Sequence, residues 1–205
     1  MNTLIRNSYP YRLWSLACGC VRWGKHRFAA PSPHFIKQSC LIRNGLPNAV
    51  WVETGTYLGQ TTQLLSKYAS KVYSIEPEPI LFSNAAKYFK TFDNVEILNG
   101  LSENIFPDLL PRISGDVNFW LDGHYSGGIT HKGPKITPIV DELKCIGQHL
   151  PHFSRATVLI DDIRGFDPRQ PKFSAYPSLD FLVDWARENQ LSWHIEHDIF
   201  VAKNY

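Results

Sequence analysis

Short apolar runs rich in β-branched and aromatic residues alternate along this chain with stretches of helical spacing. The runs are Ala49–Glu53, Lys71–Glu76, Asn94–Leu98, Val117–Leu121 and Ala156–Ile160. Between them, Thr61, Leu64, Leu65 and Tyr68 recur at i, i+3, i+4, i+7, and Leu81, Ala85 and Tyr88 share a face. Ile139, Leu143 and Ile146 mark a third stripe, and Leu179, Leu182, Val183 and Ala186 a fourth. Strands that are apolar almost throughout, each followed by a helix, imply a parallel sheet covered on both faces. The end of the chain departs from this rule. Ser192–Glu196 and Ile199–Lys203 both have strand character, yet only His197-Asp198 separates them. Two residues can join antiparallel strands but cannot make a crossover. The expected fold is therefore α/β: a doubly wound, three-layer sandwich whose seven-stranded sheet is parallel except for a C-terminal antiparallel hairpin.

A chain of 205 residues is one medium domain, able to bury a sizeable core without covalent staples. Cys18, Cys20, Cys40 and Cys145 show no CxxC or zinc spacing. Charge is distributed unevenly. Residues 1–52 hold seven of the 21 Lys and Arg and no acid, so the remaining fourteen share residues 53–205 with all 19 Asp and Glu. A uniformly basic nucleic-acid binder is disfavoured. The division expected is a basic, aromatic leader over residues 1–33, ended by Pro31-Ser32-Pro33, and a domain over 34–205. The apolar stretch Leu13–Val21 is too short to span a bilayer, and Arg22 and Lys25 follow where a signal cleavage site would need small residues. The leader reads either as a helix or lid packed on the domain, or as a peripheral membrane contact through residues 1–30. A cytoplasmic location and a homodimer contact are further expectations.

In such a sheet, ligands lie beyond the carboxyl ends of the strands. The first strand runs into Glu53-Thr54-Gly55-Thr56-Tyr57-Leu58-Gly59-Gln60-Thr61. Gly55 suits a turn barred to other residues, and Gly59 a close helix start. Tyr57 fills the glycine slot that a dinucleotide pyrophosphate would need, and Glu53 would repel phosphate while suiting a cationic or hydroxyl-bearing ligand. Glu76 ends the second strand, where a carboxylate can chelate ribose hydroxyls. After the third strand comes Asn99-Gly100-Leu101-Ser102, a turn whose Ser102 could reach an adenine edge.

Taken together, these motifs resemble the class I S-adenosylmethionine-dependent methyltransferases, with their Rossmann-like fold, over roughly residues 48–203. The Tyr57 loop is similar to metal-dependent small-molecule O-methyltransferases of the catechol and caffeoyl-CoA type. The run Phe119-Trp120-Leu121-Asp122-Gly123-His124-Tyr125-Ser126-Gly127-Gly128 is more like macrocin-type enzymes acting on sugar hydroxyls. The resemblance implies S-adenosylmethionine as cofactor, with Glu53, Gly55 and Gly59 shaping its methionine end and Thr56, Tyr57 and Thr61 of the same loop among the cofactor contacts. It assigns Glu76 to the ribose and Leu101, Ser102 and Asp122 to the remaining contacts. Leu101 departs from the polar residue many relatives carry, and Tyr57 from the commonest glycine motif.

Asp122 ends the fourth strand and Asp161-Asp162 the fifth, so three carboxylates should meet at one rim. They repel unless a positive group lies between them or a proton is shared. Oxygen ligands suit Mg²⁺, Ca²⁺ or Mn²⁺, and the resemblance implies a divalent cation, Mg²⁺ above all, at Asp122, Asp161 and Asp162. The bland alternative is an Asp that caps a loop or pairs with Arg164. His124, with an ordinary pKa near neutrality, is a candidate general base beside Asp122, and equally a fourth ligand or a loop clamp. The function expected is methyl transfer to a hydroxyl of a small-molecule acceptor. Competing classes are a hydroxylase-like metal enzyme using Asp122, His124 and Asp161, and a non-catalytic nucleotide-binding module. No Asn-Pro-Pro-Tyr-type motif follows the fourth strand, so a nucleic-acid substrate is not expected.

Overall fold

The computed structural model describes residues 9–123, 137–167, 169–170 and 173–205, with side chains from residue 16 onward. Its sheet contains β1 (Val50–Thr54), β2 (Lys71–Glu76), β3 (Val95–Asn99), β4 (Gly115–Leu121), β5 (Phe153–Ile160), β6 (Ser192–Glu196) and β7 (Ile199–Lys203). The strand order is β3-β2-β1-β4-β5-β7-β6. β1 to β5 pair in parallel, and β7 runs antiparallel to both β5 and β6, so six strands share one direction. This is the doubly wound sheet and closing hairpin expected from the alternation.

The helices are α1 (Tyr9–Lys25), α2 (His34–Asn44), α3 (Gln60–Leu65), α4 (Pro79–Phe89), α5 (Ser102–Leu109), α6 (Ile139–His149) and α7 (Leu179–Glu188). Side chains alternate across a strand, and neighbours accordingly enter opposite cores. Val52, Phe119, Val158 and Phe200 pack with residues of α5, α6 and α7. Trp51, Trp120, Leu159 and Val201 pack with Cys40 and Leu41 of α2 and Leu65 of α3. One layer of the sandwich is thus supplied partly from the acid-free stretch. α4 buries Leu81, Ala85 and Phe89 while Tyr88 stays exposed, one position off the expected face. Trp193 of β6 is 38% exposed and stacks on Phe200. α5 and α2 were not legible as helices.

A side chain fixes α2 to the sheet. The buried Asn118 of β4 accepts from Leu46 N–H at 2.8 Å and donates to Leu46 C=O at 3.0 Å. Asn118→Val leaves both main-chain groups unpaired, and each such group costs about 1–3 kcal/mol. The expected loss is about 2–4 kcal/mol, seen as a lower urea midpoint at unchanged slope.

Candidate functional site

Strand register builds the rim. Thr54, Leu121 and Ile160 lie abreast, and the ladder continues one step, with Asp122 N–H donating to Thr54 C=O and Asp161 N–H to Leu121 C=O. Gly55, Asp122 and Asp161 therefore emerge side by side where β1 and β4 adjoin. That is the switch point of a doubly wound sheet, since the order turns back there.

Gly55 adopts φ +87°, and a Cβ on it would lie 2.8 Å from the Asp122 carbonyl oxygen. The loops after β1 and β4 touch through this missing side chain. Gly59 is also left-handed (φ +74°), but its open side faces the Phe89 ring at 2.7 Å, so packing rather than a ligand explains that glycine.

Glu53 is fully buried. Its Oε2 accepts from Thr62 Oγ1 at 2.5 Å and Ser74 Oγ at 2.6 Å. Its Oε1 is buried with no hydrogen-bond partner among the described residues. Burial drives the carboxyl up to about 7 against the pull of the Ser74 and Thr62 hydroxyls, and Glu76 adds to the rise. Thr56, buried, shares a 2.6 Å hydrogen bond with Ser74. Glu76, at the end of β2, accepts from Tyr57 N–H at 2.7 Å and Glu78 N–H at 2.9 Å. These bonds draw the Tyr57 loop over the strand end, with Tyr57 itself half-exposed at φ +49°.

Ser102 is buried at the start of α5. Its hydroxyl donates at 2.6 Å to Glu142 of α6, which is fully buried. Burial raises Glu142 to about 7, although the Ser102 and Thr54 hydroxyls oppose the shift. Leu101, just before α5, stands half-buried at the same turn.

The carboxylate cluster differs from the expected one. Among the described residues, the oxygens that converge within 4.8 Å of one another belong to Asp161, Asp162 and Asp198, not to Asp122. Asp198 comes from the β6–β7 turn. Asp162 takes a left-handed conformation (φ 55°, ψ 45°), and its N–H donates to Asp161 Oδ1 at 2.7 Å. That conformation turns the second acid towards Asp198. Positive charge is already present: Lys37 Nζ of α2 lies 2.6 Å from Asp161 Oδ2 and 2.9 Å from Asp162 Oδ1. Arg164 meets Asp162 at 2.9 Å and also pairs with Asp198. Burial alone would lower the Lys37 ammonium, but the Asp161 and Asp162 carboxylates outweigh it and its pKa is raised. Asp162 is thus paired with Arg164, and Asp122 stands apart from the carboxylates that converge.

Asp122 and Asp161 open instead onto a cavity of about 210 Å³, walled by His34, Lys37, Thr61 and Trp120. Thr61 thus faces this cavity, while its neighbour Thr62 serves Glu53. Desolvation by the surrounding wall, and then the Lys37 charge, hold the His34 imidazole below its ordinary value. His124 and the loop beyond it lie outside the described residues. His34, Lys37, Thr62, Ser74, Glu142 and Asp198 were not singled out from the sequence. Most are separated from their partners by long stretches of chain, and the only advance signal was seven basic groups lacking any acid nearby.

No family model matches the sequence. No curated protein matches it either. The fold, however, is widely shared among solved structures. The 23S rRNA methyltransferase ErmE aligns at TM-score 0.51 and 13% identity, over 83% of this chain and 67% of its own. SMU.1697c, a putative methyltransferase from Streptococcus mutans solved in complex with SAH, aligns at 0.50 and 15%, over 83% of this chain and 96% of its own. A SAM-dependent methyltransferase from Aquifex aeolicus aligns at 0.50 and 16%, covering 81% and 87%. At these identities the likeness is one of fold. No helix among the described residues is long and apolar enough to cross a membrane.

Proposed function

We propose that the chain is an S-adenosylmethionine-dependent methyltransferase acting on a hydroxyl of a small molecule. The observation that carries this reading is Glu53, a buried carboxyl beside the switch point with one oxygen that nothing in the described structure satisfies. An unpaired buried oxygen is costly, and a cationic ligand group at the β1 rim would relieve it. S-adenosylmethionine, when bound, supplies a methyl group activated by a sulfonium. Glu53, Gly55, Thr56 and Tyr57 would hold its methionine end, Glu76 its ribose, and Leu101 its base, with Asp122 closing the rim. Ser102 acts there only through Glu142.

The acceptor would occupy the cavity under α2. Its size of about 210 Å³ suits a small molecule, and the acid excess of residues 53–205 disfavours a polyanion. In-line transfer breaks the carbon–sulfur bond, returns its electron pair to sulfur and forms a carbon–oxygen bond. The hydroxyl proton must leave as this happens. His34, neutral at physiological pH because its pKa is lowered, is the described imidazole placed on the cavity wall to take it.

Titration calorimetry tests the reading. S-adenosylhomocysteine is expected to bind the purified protein without added metal. S-adenosylmethionine affinity should fall by about tenfold per pH unit below 7, because a proton on Glu53 competes with the cationic ligand. Glu53→Gln should bind more weakly and show a flat profile over that range. Absence of binding at any pH defeats the proposal.

A further inference from the structure

We propose that Lys37 is a built-in cation that takes the place of a divalent metal at the Asp161–Asp162 rim. Its ammonium nitrogen sits 2.6 and 2.9 Å from one oxygen of each aspartate. Oxygen-ligated divalent ions need about 2.0–2.6 Å to the same kind of atom, so ammonium and metal cannot share the position. Other oxygens of the cluster are also engaged. Asp161 Oδ1 accepts the Asp162 N–H, and Asp162 Oδ1 and Asp198 meet the Arg164 guanidinium. Three carboxylates face two cations fixed to the chain, and a metal could enter only by expelling Lys37.

Two observations make this a built arrangement rather than a surface contact. The Lys37 side chain is only 14% exposed and the Asp161 side chain 4%. α2, which carries Lys37, is anchored at its other end, where the buried Asn44 donates to Glu196 at 2.7 Å and Arg43 pairs with the same residue. The acid-free stretch therefore delivers its charge to a set point. An ammonium has three N–H groups and two are spent on the aspartates. Lys37 also lines the cavity, so the third remains for an oxygen of the occupant. If the methyltransferase reading holds, this is where an acceptor oxygen finds the positive charge that a metal would otherwise provide.

Manganese binding, followed by electron paramagnetic resonance on the full chain, tests the substitution. Wild type is expected to bind no Mn²⁺ at millimolar concentration. Lys37→Met should gain Mn²⁺ binding tighter by on the order of tenfold or more, because carboxylates released from their counterion attract a hard cation. Adding Asp161→Asn should remove the gain, and Lys37→Arg, which keeps a cation, should behave as wild type. Wild-type Mn²⁺ binding as tight as that of Lys37→Met overturns the proposal, as does a folded Lys37→Met that gains none. S-adenosylhomocysteine binding is measured in parallel. Its absence would count against methyl transfer alone, while the manganese comparison still decides the role of Lys37.

Discussion

Gly55→Val is expected to reduce S-adenosylhomocysteine binding by on the order of tenfold or more, since forcing extra side-chain atoms into a packed contact costs about 1–3 kcal/mol and about 1.4 kcal/mol is tenfold in affinity. Two independent penalties meet at this residue. Its φ of +87° is closed to a β-branched side chain. Its added Cβ would stand 2.8 Å from the Asp122 carbonyl oxygen and 3.2 Å from the carbonyl carbon, both main chain. The β1 and β4 loops must then part, and they are the two loops that frame the switch point. Gly115 provides the comparison. It has nearly the same φ, +80°, but nothing lies within 4 Å of a Cβ built there. Gly115→Val should therefore cost only the strain of its conformation, roughly 1–2 kcal/mol, with ligand affinity unchanged. Calorimetry on both variants, with circular dichroism to confirm folding, makes the comparison. Equal affinities for the two variants would mean that the contact between the loops does not shape the ligand site.

The contrast between these glycines shows which parts of the molecule were open to sequence reasoning. Strand positions follow from apolar runs with local boundaries, and all seven strands fall within a few residues of their expected places. The hairpin followed from a two-residue separation. α2 was hidden because its buried positions, Cys40, Leu41 and Asn44, do not make an apolar stripe, and one of them is an amide. α5 was hidden by Pro107 in its interior. At the site, Glu53, Gly55 and Glu76 were visible because β-strand ends carry them to the rim in register. The Lys37 contacts were not. They join residues 124 and 125 positions apart, and a lysine in an acid-free stretch looks the same on paper whether it faces lipid, solvent or a buried aspartate. The uneven charge was the one trace of that contact. Lys37 and Arg43 spend their charge on Asp161, Asp162 and Glu196, so part of the excess of the acid-free stretch is neutralised within the chain.

Glu142 is expected to make folding stability fall as pH rises from about 4.5 to 7. The residue lies on the opposite face of the sheet from Glu53, fully buried beneath Thr54 and Ser102. Its carboxyl is held up to about 7 by burial, against an unfolded value of 4.5. The folded state thus keeps a proton that the unfolded chain releases over this interval. Stability is fully retained below pH 4.5, declines as pH rises through 7, and levels off above it. A displacement of this size corresponds to roughly 3 kcal/mol between the two limits. Glu142→Gln keeps an oxygen for the Ser102 hydroxyl and cannot ionise. It should match wild type near pH 4.5 and exceed it by up to roughly 3 kcal/mol at pH 8. Glu53 has the same sign of shift and remains in that variant, so some slope persists until Glu53→Gln is added. Urea unfolding at four or five pH values measures the difference. Parallel profiles for wild type and Glu142→Gln would show that Glu142 ionises normally in the fold. The decline also connects stability to the proposed function, because Glu53 must give up its proton over the same pH range to receive a cationic ligand. Bound S-adenosylmethionine should therefore recover, above pH 7, part of the stability that the ionised Glu53 costs.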